Sequence, residues 1–333
     1  MNLAHLAKLT SDVGLYEHSL GDEPRREHGY CVDDVARALI VLLRAEGRAT
    51  ATDSALIDVY ERFLAQSQAL DGRVTNRCSA DGEWRGVAST EDHWGRALWA
   101  WGTAVRESRS ADRAAEAYER FRISARRRSV HFRSMVFASL GAAQVLEVLP
   151  RNEPAMALLR DTIALLPTVP EGQWVWPEAR LTYANAAIPE MMMVAGFHLN
   201  DNNLIRRGRH ALEWLWQLQS SAGRLSLVPH HGWSPGDVFP SFDQQPIEVA
   251  ALVDACVTAY DVTSDPLWQE RISIGRRWFD GWNDQGIEMH DPSTGAGFDA
   301  LTLDGRNNNR GAESTISYLS VEQRNASLLE SVA

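Results

Sequence analysis

Apolar residues recur at every third or fourth position through most of this chain, with polar residues filling the other side of each turn. That period belongs to amphipathic helices. It predicts helices over residues 34–44, 55–68, 92–105, 111–122, 133–149, 154–166, 187–199, 203–218, 246–260, 266–282 and 313–329. A shorter stretch at 2–9 brings the number to twelve, or six helical hairpins.

The hairpins carry the trace of a repeat. Phe63-Leu64-Ala65-Gln66 runs into Asp71-Gly72-Arg73, and Trp214-Leu215-Trp216-Gln217 runs into Ala222-Gly223-Arg224. Trp278-Phe279 leading to Asp284-Gln285-Gly286 is a third copy, and Glu171-Gly172-Gln173 a weaker fourth. Gly72, Gly172, Gly223 and Gly286 are separated by 100, 51 and 63 residues. A unit of roughly fifty residues, skipped once near 122–128, accounts for that series. Residues 1–333 therefore read as one all-α domain, an (α/α)6 toroid, with no Pro/Ser linker or low-complexity tract to divide it. Four loops, 71–90, 168–185, 220–245 and 283–311, are too long for plain connectors. Each follows the second helix of a pair, so all should gather on one rim.

Composition narrows the setting. A hydrophobic share of 44% is enough for a large core, and the formal net charge of −11 leaves no basic face for a nucleic-acid partner. Three cysteines, Cys31, Cys78 and Cys256, are too few and odd for a disulfide framework. With no apolar leader at residues 1–12 and no long apolar run, a cytoplasmic protein without a membrane partner is expected.

Polar residues crowd four helix starts: His28-Gly29-Tyr30-Cys31-Val32-Asp33-Asp34, Thr90-Glu91-Asp92-His93-Trp94, Phe242-Asp243-Gln244-Gln245-Pro246 and Asn309-Arg310-Gly311-Ala312-Glu313-Ser314-Thr315. Taken singly, each reads as a helix cap. Acids recurring with His, Tyr and Trp at equivalent places in alternate helices point instead to a shared central cavity. Asp33 and Asp34 point about 100° apart on a helix, so only one should face the centre squarely. Asp34 is preferred, because Asp34 with Arg37 is matched by Asp92 with Arg96. Such an inward pair should hold its carboxylate ionised.

The loop from Gln173 to Asn185 places Trp174 and Trp176 just before Glu178. Tryptophan faces suit the C–H surface of a sugar ring, and a carboxyl desolvated beside them suits a general acid. Glycoside cleavage needs two carboxyls across the bond, one as acid and one as base or nucleophile. The candidates for these roles are Asp34, Asp92, Glu178, Asp243 and Glu313. Hydroxyl-binding candidates are His28, Tyr30, Asp33, Asp92, His93, Arg96, Tyr183, Asn185, His230, Asp243, Gln244 and Gln245, with Trp176 and Trp233 stacking on rings. Met191, Met192 and Met193 read as core filling. No His-x-x-x-His, Cys-x-x-Cys or phosphate-binding glycine loop is present, so no metal or other cofactor is expected.

Several strings resemble a bacterial family in the six-hairpin glycosidase-like superfamily, whose members are often labelled glycosyltransferases or glycosidase-related proteins. They are Gly14-Leu15-Tyr16-Glu17-His18, the run from His28 to Leu39, the run from Trp176 to Ala186, Phe242-Asp243-Gln244-Gln245-Pro246, and the run from Asn309 to Thr315. The resemblance implies the toroid fold over nearly the whole chain. The Trp-Pro-Glu loop is also similar to the acid-bearing loop of glucoamylase-type toroids, which implies an inverting hydrolase with Glu178 as acid and Glu313 or Asp34 as base. A glycoside hydrolase or phosphorylase acting on an oligosaccharide or glycoside is therefore expected. The alternatives are a sugar epimerase or isomerase using a histidine pair such as His93 and His230, and a non-catalytic glycan-binding protein. A nucleotide-sugar transferase would need a diphosphate site, and nothing resembles one. A terpene-cyclase reading of Val32-Asp33-Asp34 does not suit such polar loops.

Overall fold

The computed structural model describes residues 1–45, 51–167, 174–239 and 241–332. The Glu171-Gly172-Gln173 turn lies outside the described residues.

Twelve helices follow one another among the described residues: α1 (Ala4–Leu9), α2 (Val32–Arg44), α3 (Ala51–Ser67), α4 (Asp92–Glu107), α5 (Ala111–Ser124), α6 (Phe132–Val148), α7 (Glu153–Leu165), α8 (Ala187–His198), α9 (Asn202–Leu218), α10 (Pro246–Thr263), α11 (Leu267–Phe279) and α12 (Ala312–Val332). They form two concentric rings. The inner ring is α2, α4, α6, α8, α10 and α12, each packed on the next, and α12 closes back onto α2. Helices α3, α5, α7, α9 and α11 lie outside, each against the inner helix before it, and α1 packs on α12 to complete the sixth hairpin. The fold is an (α/α)6 toroid.

Sequence explains which helix goes where. Inner helices lie between the outer ring and the barrel centre, and α6 is buried from Arg133 to Ala143 without interruption. Outer helices keep one apolar stripe: α9 buries Leu204, Gly208, Ala211, Leu212, Leu215 and Trp216 and presents its arginines outward. Inner helices α4 and α6 approach unusually closely because glycines meet. A Cβ on Gly102 would lie 2.1 Å from the Gly141 carbonyl, and one on Gly141 2.3 Å from the Leu98 carbonyl.

Three outer helices differ from the inner ones in their caps; the outer helix α11, like the inner ones, has none. Outer helices α5, α7 and α9 begin with Ser110, Asn152 and Asp201, whose side chains accept from free backbone amides. Inner helices α2, α4, α6, α8 and α10 begin with no side-chain cap. Free amides at the starts of α2 and α12 are met from elsewhere in the fold: Asn76 accepts from the Val32 amide at 3.1 Å and Asp299 from the Gly311 amide at 2.7 Å.

The rim loops contain short strands that the helical period does not predict. Tyr30–Cys31, Arg77–Cys78 and Trp84–Arg85 form a three-stranded antiparallel sheet, and Ala300–Thr302 pairs with Gly305–Asn307. All three cysteines are free and buried. Among the described residues no helix is long and apolar enough to cross a membrane.

Candidate active site

The amino ends of the inner helices α2, α4, α10 and α12 line an open pit of about 550 Å³. Asp33, Asp34 and Arg37 enter it from α2, Asp92 and Arg96 from α4, Glu313 and Ser314 from α12. Rim loops add Arg77, Tyr183, His230, Asp243, Gln245, Asp299 and Asn307, and the segment before α2 adds Glu17, His18 and Cys31. Seven acids therefore face three arginines. The positive ends of the inner-helix dipoles point at this acidic ring and favour it.

Arg37 organises the floor. One terminal nitrogen of its guanidinium donates to Asp34 and the other to Glu313 at 3.0 Å, while its Nε donates to the Asp33 carbonyl at 3.2 Å. The second Asp34 oxygen accepts from the Cys31 thiol at 3.1 Å. Burial pushes the Asp34 carboxyl up to about 6; Arg37 pulls it down and Glu313 pushes it up. The expectation that the arginine alone would hold Asp34 ionised is thus corrected: desolvation outweighs the pairing. Glu313 differs in accessibility, with 41% of its side chain exposed to the pit.

Both Asp33 and Asp34 line the pit, where only one was expected to face it. Asp33 accepts an ion pair from Arg96 at 3.3 Å, and Arg96 lies over the Phe137 ring at 4.0 Å. Arg77 pairs with Glu17. Asp92 accepts from the Ser134 hydroxyl at 2.7 Å and from the Tyr183 hydroxyl. Burial and the Asp92 carboxylate push the Tyr183 phenol above its ordinary range, so it stays a donor. Asp299 accepts from the Gly311 amide at 2.7 Å and the Ser314 hydroxyl at 2.6 Å. Every arginine of the pit is already paired with a pit carboxylate.

Of the predicted residues, Asp33, Asp34, Asp92, Arg96, Tyr183, His230, Asp243, Gln245 and Glu313 come together here. Others are placed elsewhere. Glu178 lines an adjoining hollow, with its two oxygens held by Arg133 at 3.0 and 2.5 Å. This pairing differs from the unpaired carboxyl expected beside the tryptophans. Trp176 is 1% exposed and lies along Trp214, so no ring face is left for a sugar. Trp233 is half-buried against Trp174 and Phe239, outside the pit lining. Tyr30 is fully buried, stacked on Tyr16 and bonded to the Ser11 hydroxyl at 2.8 Å.

His93 is buried on the Val74 carbonyl at 2.9 Å, which removes it from a histidine pair with His230. Asn185 is buried between Arg133 and Glu248, and Gln244 donates to Asp284 at 2.9 Å from a fully buried position. His28 is exposed and meets His18 edge-on beside the pit. Residues not anticipated include Glu17, His18, Arg77, Asp299 and Asn307. The string Gly14-Leu15-Tyr16-Glu17-His18 pointed to the first two; Arg77 and Asn307 sit in short strands and Asp299 in the bend between two, without a helical signal.

Glu17, Cys31 and Asp34 bring ligand atoms within 4.8 Å of one another, the arrangement closest to a metal site among the described residues. Arg77 and Arg37 already occupy the two carboxylates, and burial pushes the Cys31 thiol well above its ordinary value. That donor set suits a hydrogen-bonded floor better than a cation.

No protein-family model and no curated protein sequence matches the chain. Solved structures do match it in shape. A sugar epimerase from a ruminal bacterium has a TM-score of 0.70 at 13% identity, over 98% of this chain and 95% of that one. A cellobiose 2-epimerase from Bacillus thermoamylovorans has a TM-score of 0.71 at 10% identity, over 99% and 96%. A GH76 α-mannanase from Bacteroides thetaiotaomicron has a TM-score of 0.66 at 8% identity, over 98% and 92%. At these identities the likeness is one of fold. The shared fold is the (α/α)6 toroid.

Proposed function

We propose that this chain cleaves a glycosidic bond in a neutral oligosaccharide, with Asp34 and Glu313 as the reacting carboxyls. The observation that carries the reading is the Arg37 floor. It holds one carboxyl buried and pushed up to about 6, and another open to the pit. Those are the two states that acid and base need near neutral pH. Asp34 gives its proton to the leaving glycosidic oxygen as the C–O bond breaks. Glu313 takes a proton from a water whose oxygen bonds to the anomeric carbon. Returning that proton to Asp34 closes the cycle, and one water is consumed per bond. Asp33, Asp92, Asp243 and Gln245 receive substrate hydroxyls, and Glu178 with Arg133 does so from the adjoining hollow.

Charge supports water over phosphate as the acceptor, and a neutral sugar over an anionic one. Seven acids against three paired arginines leave an anion no cation to meet. The test is Glu313→Gln, assayed by new reducing ends from neutral oligosaccharides and by calorimetric binding. Retained binding with lost turnover supports Glu313 as the base; full turnover removes it from the reaction.

A second reading, epimerisation or isomerisation of a sugar, is favoured by His18 and His230, both of which line the pit. Products separate the two: unchanged chain number with altered stereochemistry indicates epimerisation. Binding of the same panel with no turnover at all would indicate a non-catalytic glycan-binding protein.

A further inference from the structure

The pit has unequal sides. Away from Tyr183 it is walled by Glu17, His18, Asp299, Ala300 and Asn307, contributed by the segment before α2 and by the hairpin 300–307. On the Tyr183 side a second hollow of about 600 Å³ opens beside it. Asp33, Asp92 and Tyr183 line both cavities and form the ridge between them. Beyond the ridge the hollow offers the Glu178–Arg133 pair and the carboxylate of Glu91 for hydroxyls, and Phe132 and Val130 for the apolar face of a ring. Val130 is 89% exposed, an apolar side chain with nothing over it among the described residues.

The ridge is fixed rather than loose. The Tyr183 hydroxyl donates to Asp92, and the Arg133 guanidinium lies 4.7 Å from the centre of its ring. Arg133 also donates to the Tyr183 carbonyl. The next residue, Ala184, adopts φ 43°, a left-handed conformation uncommon for a residue with a Cβ. Its amide donates to the buried carboxyl of Glu248, which also receives the Asn185 side-chain amide at 2.9 Å. Glu248 on α10 and Arg133 on α6 thus clamp the backbone that carries the tyrosine.

We infer that one end of an oligosaccharide chain sits in the pit while the following units cross Tyr183 into the side hollow, so that units are removed from a chain end rather than by internal cuts. Tyr183 sets the boundary between the two binding sites and so determines specificity for chain length. This rests on the glycoside-cleavage reading and adds the mode of attack and a minimum of two joined rings. A cavity walled on one side accepts a terminus, whereas internal cutting needs an exit at both ends. Each turnover consumes one water and shortens the chain by the unit held in the pit.

The experiment uses the full chain with neutral gluco-, manno-, galacto- and xylo-oligosaccharides of two to six units, tagged at the reducing end with 2-aminobenzamide. The earliest products are separated by length. The expected result is a ladder descending one unit at a time, or a tagged single unit if attack is at the other end. In either case kcat/KM should rise at least tenfold from two units to four. Tyr183→Ala should flatten that rise at least fivefold. Val130→Trp fills the hollow from an exposed position that tolerates substitution, and should do the same, which covers the case of a misfolded Tyr183 variant. Internal fragments of several lengths at first turnover, or a length dependence unchanged in a folded variant, would overturn the inference and leave the glycosidase reading standing. Neither binding nor cleavage across the panel would remove both.

Discussion

The two ends of the inner barrel use the same residue types and reach opposite results. At the pit, acids and arginines meet at the amino ends of the inner helices, wet and with acids in excess. Deeper along the same helices, Asp254 accepts from Arg44 at 3.1 Å and from Arg324 at 2.7 Å, and Glu190 lies nearby, bonded to the Thr258 hydroxyl at 3.4 Å. This second cluster is buried and holds two acids, Asp254 and Glu190, against two arginines; burial first, and then Asp254, push the Glu190 carboxyl up to about 8. One Glu190 oxygen has no partner among the described residues. An Asp–Arg pair therefore marks chemistry only where the surrounding charge is left unmatched and open to solvent. Where acids and arginines are equal in number and buried, it fixes packing.

The sharpest way to break that contrast is to disable one end and look for an effect at the other. Glu313→Gln should lower kcat by roughly 10²–10⁴-fold while the urea midpoint stays where it was. Equal loss of stability would make Glu313 part of the packing. Asp254→Ala should do the reverse. It strands two buried guanidinium groups and should cost about 3–5 kcal/mol in denaturant unfolding, with the kcat of the folded fraction retained.

Protonation sharpens the comparison. If Asp34 is the proton donor, kcat/KM should fall about tenfold per pH unit above about 6. Asp34→Asn should lose that limb together with most of the activity; a rate flat from pH 6 to 8 in the native chain would remove Asp34 from the role. The smallest effect belongs to Glu190. Its folded-state value lies above the ordinary carboxylate range, so the folded chain holds a proton that the unfolded chain has released. Stability from this group is full at low pH and is lost as pH rises from the ordinary carboxylate range to about 8. Glu190→Gln should flatten that slope in unfolding experiments at pH 5 to 8; a slope unchanged in the variant would remove Glu190 from the linkage.

Periodicity made the helices legible, including the short one at 2–9 that completes the sixth hairpin as α1. Glycine spacing made the repeat legible. Much of the pit could also be read, because acids recurred at equivalent helix starts. What could not be read depends on partners far away in sequence. Glu178, in a rim loop, meets Arg133, 45 residues earlier on the inner helix α6, which makes its carboxyl half of an ion pair. Trp176 belongs to a polar loop that suggests a platform for sugar, whereas Trp214, on the outer helix α9, draws it inward. His93 sits among the site's residues in sequence, but the Val74 carbonyl takes its ring nitrogen. Neighbours in sequence announce candidates, and only packing decides which of them face water.

The seam of the ring has a consequence for biogenesis. Arg37 reaches Glu313 across 276 residues, where α12 docks between α2 and α10. A nascent chain emerging from the ribosome could assemble the earlier hairpins one by one, since those contacts are local. The pit floor would stay incomplete until α12 is made, however advanced the hairpins before it. Activity should therefore switch on in a single step, when that helix slots into the gap.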